Sequence, residues 1–213
     1  GRPASVSIVG AVSPPGGDFS EPVTQHTRRF TRCFWALDTT LANARHYPAI
    51  HWLHSYSEYD VDLLDWWRKR APEWNGLRTE ALTLLQREER VQQVARLVGP
   101  DALPEAQKLI LLVAELLRDG FLAQNAFHAG DSYCTPERQV ALLRMLLGVY
   151  RRGASLVEAG VPVATLRALP AVGELVRARE TYGNDQLNEL AGLEARVAES
   201  MNRLAPPPGS PAP

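Results

Sequence analysis

An apolar stretch that ends in a stiff turn constrains the fold of this chain more than any other feature. Residues 5–12 read SVSIVGAV, and the segment Pro14-Pro15-Gly16-Gly17 follows almost directly. Small and β-branched residues in this order predict a strand buried on both faces, as in a parallel sheet. The prolines cannot donate ladder hydrogen bonds and the glycines permit a tight reversal, so we expect pairing to end at the turn.

No other segment shows a clear strand pattern, and a single strand cannot satisfy its own backbone groups. We therefore expect this strand to belong to a sheet whose other strands lie outside the chain, and residues 1–25 to be poorly ordered or paired with a neighbouring molecule. A helix is predicted from Pro22 onward by apolar residues at helical spacing, followed by an irregular segment over 46–56. Its apolar stripe is Phe30, Cys33, Phe34, Leu37 and Leu41.

The rest of the chain has a helical pattern. Tyr59, Leu63, Leu64 and Trp67 share a face. Long helices are predicted up to Gly99-Pro100, over 109–117 and from Pro136 onward, and shorter helices around 163–180 and 184–204. We predict a mainly α fold. Its parts are a strand-turn-helix remnant over 1–57, a helical bundle over 58–204 and a disordered proline-rich tail over 205–213.

Composition excludes several classes of function. Apolar residues make up 45% and charged residues 22% of the 213-residue chain, and the net charge of −1 gives no indication of nucleic-acid binding. The two cysteines, Cys33 and Cys134, are expected to be reduced thiols. The two lysines, Lys69 and Lys108, do not follow a glycine, so the chain contains no GxxxxGK[ST] phosphate-binding loop.

Two further groups of residues are candidates for chemistry. His46, His51 and His54 cluster, but they lack a fourth ligand at zinc-like spacing, so no metal site is expected. The serines, among them Ser13, Ser20 and Ser55, lack a nucleophile-elbow context, so no catalytic constellation is predicted within this chain.

Several motifs occur together in a recognisable order: IVGAVSPPGGDFSEPVTQ, FWALD, RHYPAI, LVGPDALP, FLAQNAFH and SYC. In this order they resemble the C-terminal part of the catalytic A subunit of V/A-type rotary ATPases, over about residues 5–180. The resemblance implies that residues 5–12 are a late strand of a RecA-like nucleotide-binding sheet. It also implies that the P-loop lysine and the catalytic glutamate belong to the part of the family protein that this chain lacks.

The resemblance implies two contacts with the rotating central stalk. The first is the loop with Asp18, Ser20 and Glu21, whose acids would accept hydrogen bonds from stalk arginine or lysine; helix capping is the alternative for these acids. The second is the turn GPDALPEAQK, in which Asp101 and Glu105 are acidic. Leu103 and Pro104 are expected to form its apolar tip, and Pro104 is also an ordinary first residue of a helix.

The resemblance also implies an adenine pocket. Tyr47, just before Pro-Ala-Ile, would lie against one face of the base and Phe127 against the other, since aromatic rings suit a π face. Gln124 and Asn125 would hydrogen-bond the base edge. Core packing is the alternative for these aromatics, and it is the favoured interpretation for Tyr133.

In the intact machine the reaction would be ATP hydrolysis or synthesis coupled to proton or sodium movement. ATP or ADP with Mg²⁺ would bind in the full catalytic protein, next to the B subunit in an alternating hetero-hexamer. The chain would lie in the cytoplasmic sector, peripheral to the membrane. Near the adenine pocket, Gly120 precedes the FL of FLAQNAFH and is expected to loosen the end of a helix. The alternative from another class is a helical protein-protein interaction module without a nucleotide role.

Overall fold

The computed structural model describes residues 4–205 of the chain, and it is mainly α-helical. The proline-rich tail from Pro206 onward lies outside the described residues. The helices are α1 (Pro22–Phe30), α2 (Thr39–Asn43), α3 (Leu64–Arg70), α4 (Trp74–Val98), α5 (Glu105–Leu117), α6 (Pro136–Glu158), α7 (Val163–Arg167), α8 (Pro170–Leu175), α9 (Ala178–Thr181) and α10 (Leu187–Asn202). The predicted mainly α fold with a C-terminal helical bundle is confirmed.

Helix α5 is the centre of the bundle, because it is mainly apolar and packs against both α4 and α6. Seven of its thirteen residues are buried, from Leu109 to Leu117. Helix α10 then covers the far side of α6. Helices α5 and α6 approach closely at Gly153, where a Cβ atom would lie 2.8 Å from a methyl group of Leu109. A side chain at this crossing would force the Leu109 side chain to shift within the core.

The helix ends follow local chemistry. The Thr135 hydroxyl caps α6 by accepting from Arg138 N, and Pro136 occupies the first turn. Helix α4 ends at Gly99, whose φ of 86° and ψ of 148° are accessible to glycine alone. The last turn of α5 widens into a π-helical turn over Arg118–Leu122. Such turns often mark functional positions in proteins.

The strand predicted over residues 5–12, as part of a sheet whose other strands lie outside this chain, forms no ladder within residues 4–205. Residues 4–13 form neither a helix nor a ladder, and the side chain of Ile8 is 92% exposed. No other segment among residues 4–205 supplies the backbone partners that a strand buried on both faces requires. The following turn is present, with positive φ at Gly16 (62°) and Gly17 (74°).

The single helix predicted from Pro22 up to the irregular segment at His46 is wrong, because α1 ends at Phe30 and the chain then becomes extended. Strand β1 (Cys33–Phe34) pairs antiparallel with strand β2 (Tyr56–Ser57). The Phe34 ring stacks on Tyr56 at 5.9 Å between centroids, and this packing is available only through the ladder. The apolar residues thus have the spacing of a helix, although two of them, Cys33 and Phe34, form a strand.

Candidate functional site

The two stretches that carry the predicted aromatic pair come together in the structure. The backbone N–H of Gln124 donates to the carbonyl of Tyr47 at 2.7 Å. The Tyr47 side chain is 55% exposed, and its hydroxyl is 3.4 Å from the carbonyl of Ala42, to which it donates. The tyrosine ring therefore stands at the surface where the N-terminal part of the chain contacts the end of α5 and its π-helical turn.

Phe127 projects fully into solvent, with a relative exposure of 102%. Its backbone N–H donates to the Asn125 side-chain oxygen at 3.0 Å, so the backbone below the ring is anchored although the ring is not. Tyr133, expected in the core, is exposed instead, and that prediction is wrong. An exposed aromatic ring on an anchored loop is available for a ligand or a partner.

Gln124 and Asn125 hold the loop together with part of their hydrogen-bonding capacity. The Gln124 amide nitrogen donates to the carbonyl of Asp131 at 2.8 Å, and Asn125 accepts from Phe127 as described. Among residues 4–205, Gln124 Oε1 and Asn125 Nδ2 form no hydrogen bond. One acceptor and one donor thus remain next to the exposed ring, and both side chains are exposed.

Buried charges that the sequence analysis did not identify support this loop. The Asp131 carboxylate accepts from the backbone N–H of Asn125 at 2.6 Å and pairs with the Arg179 guanidinium. Arg138, which is completely buried, donates to the carbonyls of Gly130 and Arg179. Nothing in the sequence distinguishes Arg138 from the other three arginines of α6.

A cavity of about 290 Å³ lies between the N-terminal segment and the bundle. It is mainly apolar, and Trp35, Trp52, Trp74 and Phe121 are among its lining residues. None of the four predicted adenine-pocket residues lines it. The cavity is thus separate from the surface that carries Tyr47 and Phe127.

The three clustered histidines pack through their rings against Trp52 or against one another. His51 stacks on His54 at 3.9 Å and on Trp52 at 5.3 Å between centroids. Burial lowers the pKa of both His46 and His51, because it disfavours their charged forms. Within the part of the chain that the structure describes, no group of three or more metal-ligating side chains is arranged to hold an ion.

Asp18 and Glu21, the acids of the first predicted stalk contact, accept hydrogen bonds from nearby backbone N–H groups. The Glu21 carboxylate accepts from the backbone N–H groups of Thr24 at 2.8 Å and Val23 at 3.0 Å, and so caps α1. Asp18 accepts from the backbone of Ser20 at 2.8 Å. Hydrogen bonds from Ser20, first from its side chain and then from its backbone N–H, hold the pKa of Asp18 below its ordinary value, and those from Thr24 and Val23 do the same for the pKa of Glu21. All three residues lie at or near the surface, so the stalk contact stays a prediction beside the demonstrated capping role.

The residues of the second predicted stalk contact, the turn over 99–108, lie partly at the surface and partly in the core. Asp101 and Pro104 are exposed, as a contact requires. Leu103 is buried in the bundle core, so the expectation that it forms an exposed tip is wrong. Glu105 is half-buried and bonded to Val163 and Lys108. The tip is thus the short 3₁₀ turn Pro100–Ala102 with Pro104, and Leu103 anchors it from inside.

Gly120 does not loosen the helix end near the site. It is buried in the π-helical turn, and a Cβ atom there would lie 3.2 Å from the carbonyl oxygen of Leu175. The glycine permits close packing of this turn against α8.

Comparison with known proteins supplies two consecutive family matches. The nucleotide-binding domain of the ATP synthase alpha/beta family matches residues 1–57, and the C-terminal domain of V and A type ATP synthase matches residues 64–166. Among relatives, the A subunit of the A-type ATP synthase of Ignicoccus hospitalis is 48% identical over 97% of this chain and 36% of its own length. The V-type ATP synthase alpha chain of Halothermothrix orenii is 47% identical over 95% of this chain and 35% of its own.

A segment of nucleotide-binding domain followed by a helical domain, in this order, defines the rotary ATP synthase class. The chain belongs to the family of A-type and V-type ATP synthase A subunits, and it matches the C-terminal part of those proteins. It spans about a third of the length of the relatives named above. Over residues 4–205, the helices are too short or too polar to pass through a bilayer.

Proposed function

We propose that this chain is the C-terminal portion of the catalytic subunit of an ion-translocating rotary ATPase or ATP synthase. In this role Tyr47 and Phe127 form the wall of the adenine pocket, and the rotor-facing surface includes Asp18, Asp101 and Pro104. The family membership supports the role, and the exposure of these side chains is compatible with it. The complete catalytic protein would act with the B subunit in a hetero-hexamer, in the cytoplasmic sector attached to the membrane.

The observation that carries the proposal is the hydrogen bond from Gln124 N to Tyr47 O at 2.7 Å. It joins the nucleotide-binding segment to the helical domain at the point where both present exposed aromatic rings. Adenine offers a π face to such rings, and stacking on an aromatic side chain contributes about 1–3 kcal/mol per base. Its edge offers an N6 donor and an N7 acceptor, which complement Gln124 Oε1 and Asn125 Nδ2.

The phosphate chemistry would come from elsewhere in the catalytic protein. Lys69 follows Arg68 and Lys108 follows Gln107, so neither lysine lies in a phosphate-binding loop. The full-length protein would hold ATP or ADP with Mg²⁺ through its P-loop, and a glutamate-activated water would attack the γ-phosphate. The present chain contributes base contacts and a helical lever, so we expect weak ATP binding and no ATP hydrolysis from the purified 213-residue chain.

An NMR titration of the purified chain with ATP tests the adenine wall. We expect Phe127→Ala and Tyr47→Ala each to weaken ATP binding by about tenfold, since each removes one stacking surface. Phe30→Ala is the matched control, because Phe30 is another exposed aromatic but lies at the end of α1. Equal affinity in all four proteins, or Mg²⁺-dependent ATP hydrolysis by the unmodified chain, would contradict the proposal.

The alternative function, a helical interaction module without a nucleotide role, is not favoured by the comparisons. A nucleotide-binding family matches residues 1–57, the part that such a module would not need. An open reading frame that continues upstream into a GxxxxGKT motif would support the ATPase role. An independent start codon near Gly1 would support the module.

A further inference from the structure

A buried carboxylate supports the loop that carries Phe127. Asp131 is only 3% exposed, and its Oδ2 atom accepts from the backbone N–H of Asn125 at 2.6 Å. Its carbonyl oxygen accepts from the Gln124 side chain at 2.8 Å. Asp131 therefore holds the Asn125 backbone and the Gln124 side chain, within the segment that is predicted to meet the base edge.

Arg179 pairs with this carboxylate, and Arg138 holds the backbone on both sides of the pair. Arg179, from α9, pairs with Asp131 Oδ2, and its Nε atom donates to the carbonyl of Asp119 at 3.0 Å. Arg138 donates to the carbonyl of Gly130 at 2.7 Å and also to the carbonyl of Arg179. The network thus connects the π-helical turn before the loop, the loop itself and the bundle behind it.

A buried ion pair often stabilises a fold no more than apolar residues would, so the position of this pair calls for another explanation. Apolar residues of similar volume often serve a core equally well, whereas a hydrogen-bonded charge fixes one geometry. The loop above the pair exposes Gln124, Asn125 and Phe127, which have little packing of their own. Ordering such a loop before the ligand arrives reduces the entropy lost on binding.

We propose that Asp131, held by Arg179, is a positioning residue for the adenine wall. It keeps the Gln124–Phe127 segment in the conformation that places the Phe127 ring and the two amide side chains towards an adenine nucleotide. The inference rests on the proposed function of this surface. It adds a residue from the loop and one from α9 to the determinants of nucleotide affinity, although neither is expected to touch the nucleotide.

A double-mutant cycle on the full 213-residue chain, with ATP as the probe, tests the inference. We expect Asp131→Asn to weaken ATP binding by about tenfold, since a displacement of about 1 Å in a positioning group is enough for such losses. In a Phe127→Ala background, Asp131→Asn should weaken ATP binding by clearly less than in the unmodified chain, because the ring is gone and only Gln124 and Asn125 remain to be positioned. A residue that only stabilises the fold would reduce affinity by the same factor in both backgrounds.

Hydrogen exchange gives a readout that does not depend on nucleotide. The Asn125 amide should exchange faster in Asp131→Asn, because it loses a charged acceptor, while amides in the middle of α5 keep their protection. Glu80→Gln is the matched control, since Glu80 pairs with Arg151 away from the loop, and it should change neither exchange nor affinity. If Asp131→Asn does not fold, Arg179→Lys keeps the charge and removes the hydrogen bond to Asp119 O. It should likewise speed exchange at Asn125 and weaken ATP binding.

The outcomes separate this inference from the proposed function. If Phe127→Ala leaves ATP binding unchanged, the proposed function fails. If Phe127→Ala weakens ATP binding but Asp131→Asn or Arg179→Lys does not, or if the two effects multiply in the double variant, the positioning role is overturned.

Discussion

Glu105 is bonded inside the protein although it lies next to an exposed turn. Its Oε2 atom accepts from the backbone N–H of Val163 at 2.6 Å, and Oε1 accepts from Lys108 Nζ at 2.9 Å. The hydrogen bond from Val163, followed by the one from Lys108, holds the pKa of this carboxyl below its ordinary value of 4.5. Glu105 thus ties the start of α5 to the start of α7.

This bonding predicts a pH-dependent effect of Glu105→Gln on stability. A lowered folded-state pKa means that the unfolded chain binds more protons near pH 4.5, so the carboxylate stabilises the fold above that pH. We expect the variant to lose about 1 kcal/mol at neutral pH, a small value because the side chain is partly exposed. The difference should fade as the pH falls through the lowered pKa, as measured by urea unfolding.

The neighbouring acid Asp101 provides the control for Glu105. Asp101 is exposed, and Asp101→Asn should change the free energy of unfolding little at either pH. A loss in Glu105→Gln that is the same at neutral and acidic pH would show that its carboxylate charge is not responsible.

At the scale of elements, helix α4 is joined to the π-helical turn by an ion pair inside the bundle. Glu88 is 5% exposed, and its Oε1 atom is 2.5 Å from the Arg118 guanidinium, which donates to it. Helix α4 runs on to Gly99 and the exposed turn, and the π-helical turn leads into the loop with Phe127. The pair is therefore a direct physical connection between the two surfaces for which functions are proposed.

We expect Glu88→Ala to lower the free energy of unfolding by about 3 kcal/mol, because it leaves the Arg118 charge without its partner in a largely buried site. Glu174→Ala removes an ion pair between helices, with Arg196, that is about half exposed. This variant should lower the free energy of unfolding by less than about 1 kcal/mol. Chemical denaturation of both variants measures the difference. Similar losses in the two variants would show that the burial of Glu88 does not increase the contribution of its ion pair to the free energy of unfolding.

At the scale of the whole molecule, the N-terminal segment is the largest departure from a closed fold. Val6, Ile8 and Val9 are all exposed, in a segment that pairs with nothing among the described residues. The family match over residues 1–57 belongs to a nucleotide-binding domain. Apolar residues in a strand-like segment without a ladder partner are a template for association with another chain.

The purified chain is therefore expected to self-associate through residues 5–12. Ile8→Lys places a charge in the segment and should raise the dissociation constant of the associated species by about tenfold, as measured by sedimentation velocity. Leu37→Lys is the control, because Leu37 is also an exposed apolar residue but lies outside the segment. The same concentration dependence in all three proteins would show that association, if present, uses another surface.

The long helices and their ends were predictable because their causes are local. The apolar periodicity of α4, α5, α6 and α10 is contained within each helix, and Gly99-Pro100 and Pro136 act on the residues beside them. Tyr47 and Phe127 were selected by motifs shared with a family, since neither is distinguished by periodicity, and their contact with adenine stays a prediction.

Contacts between distant segments decided the remaining features. Cys33 and Phe34 have the spacing of a helix, but pairing with Tyr56 and Ser57 makes them a strand. Leu103 has the sequence context of an exposed turn and is buried nonetheless, because α4 and α5 close over it. Asp131 and Arg179 lie far apart in the sequence, so no pattern around either residue reveals the pair. Local chemistry sets where a helix begins and ends, whereas burial and ion pairing depend on which surfaces the folded chain brings together.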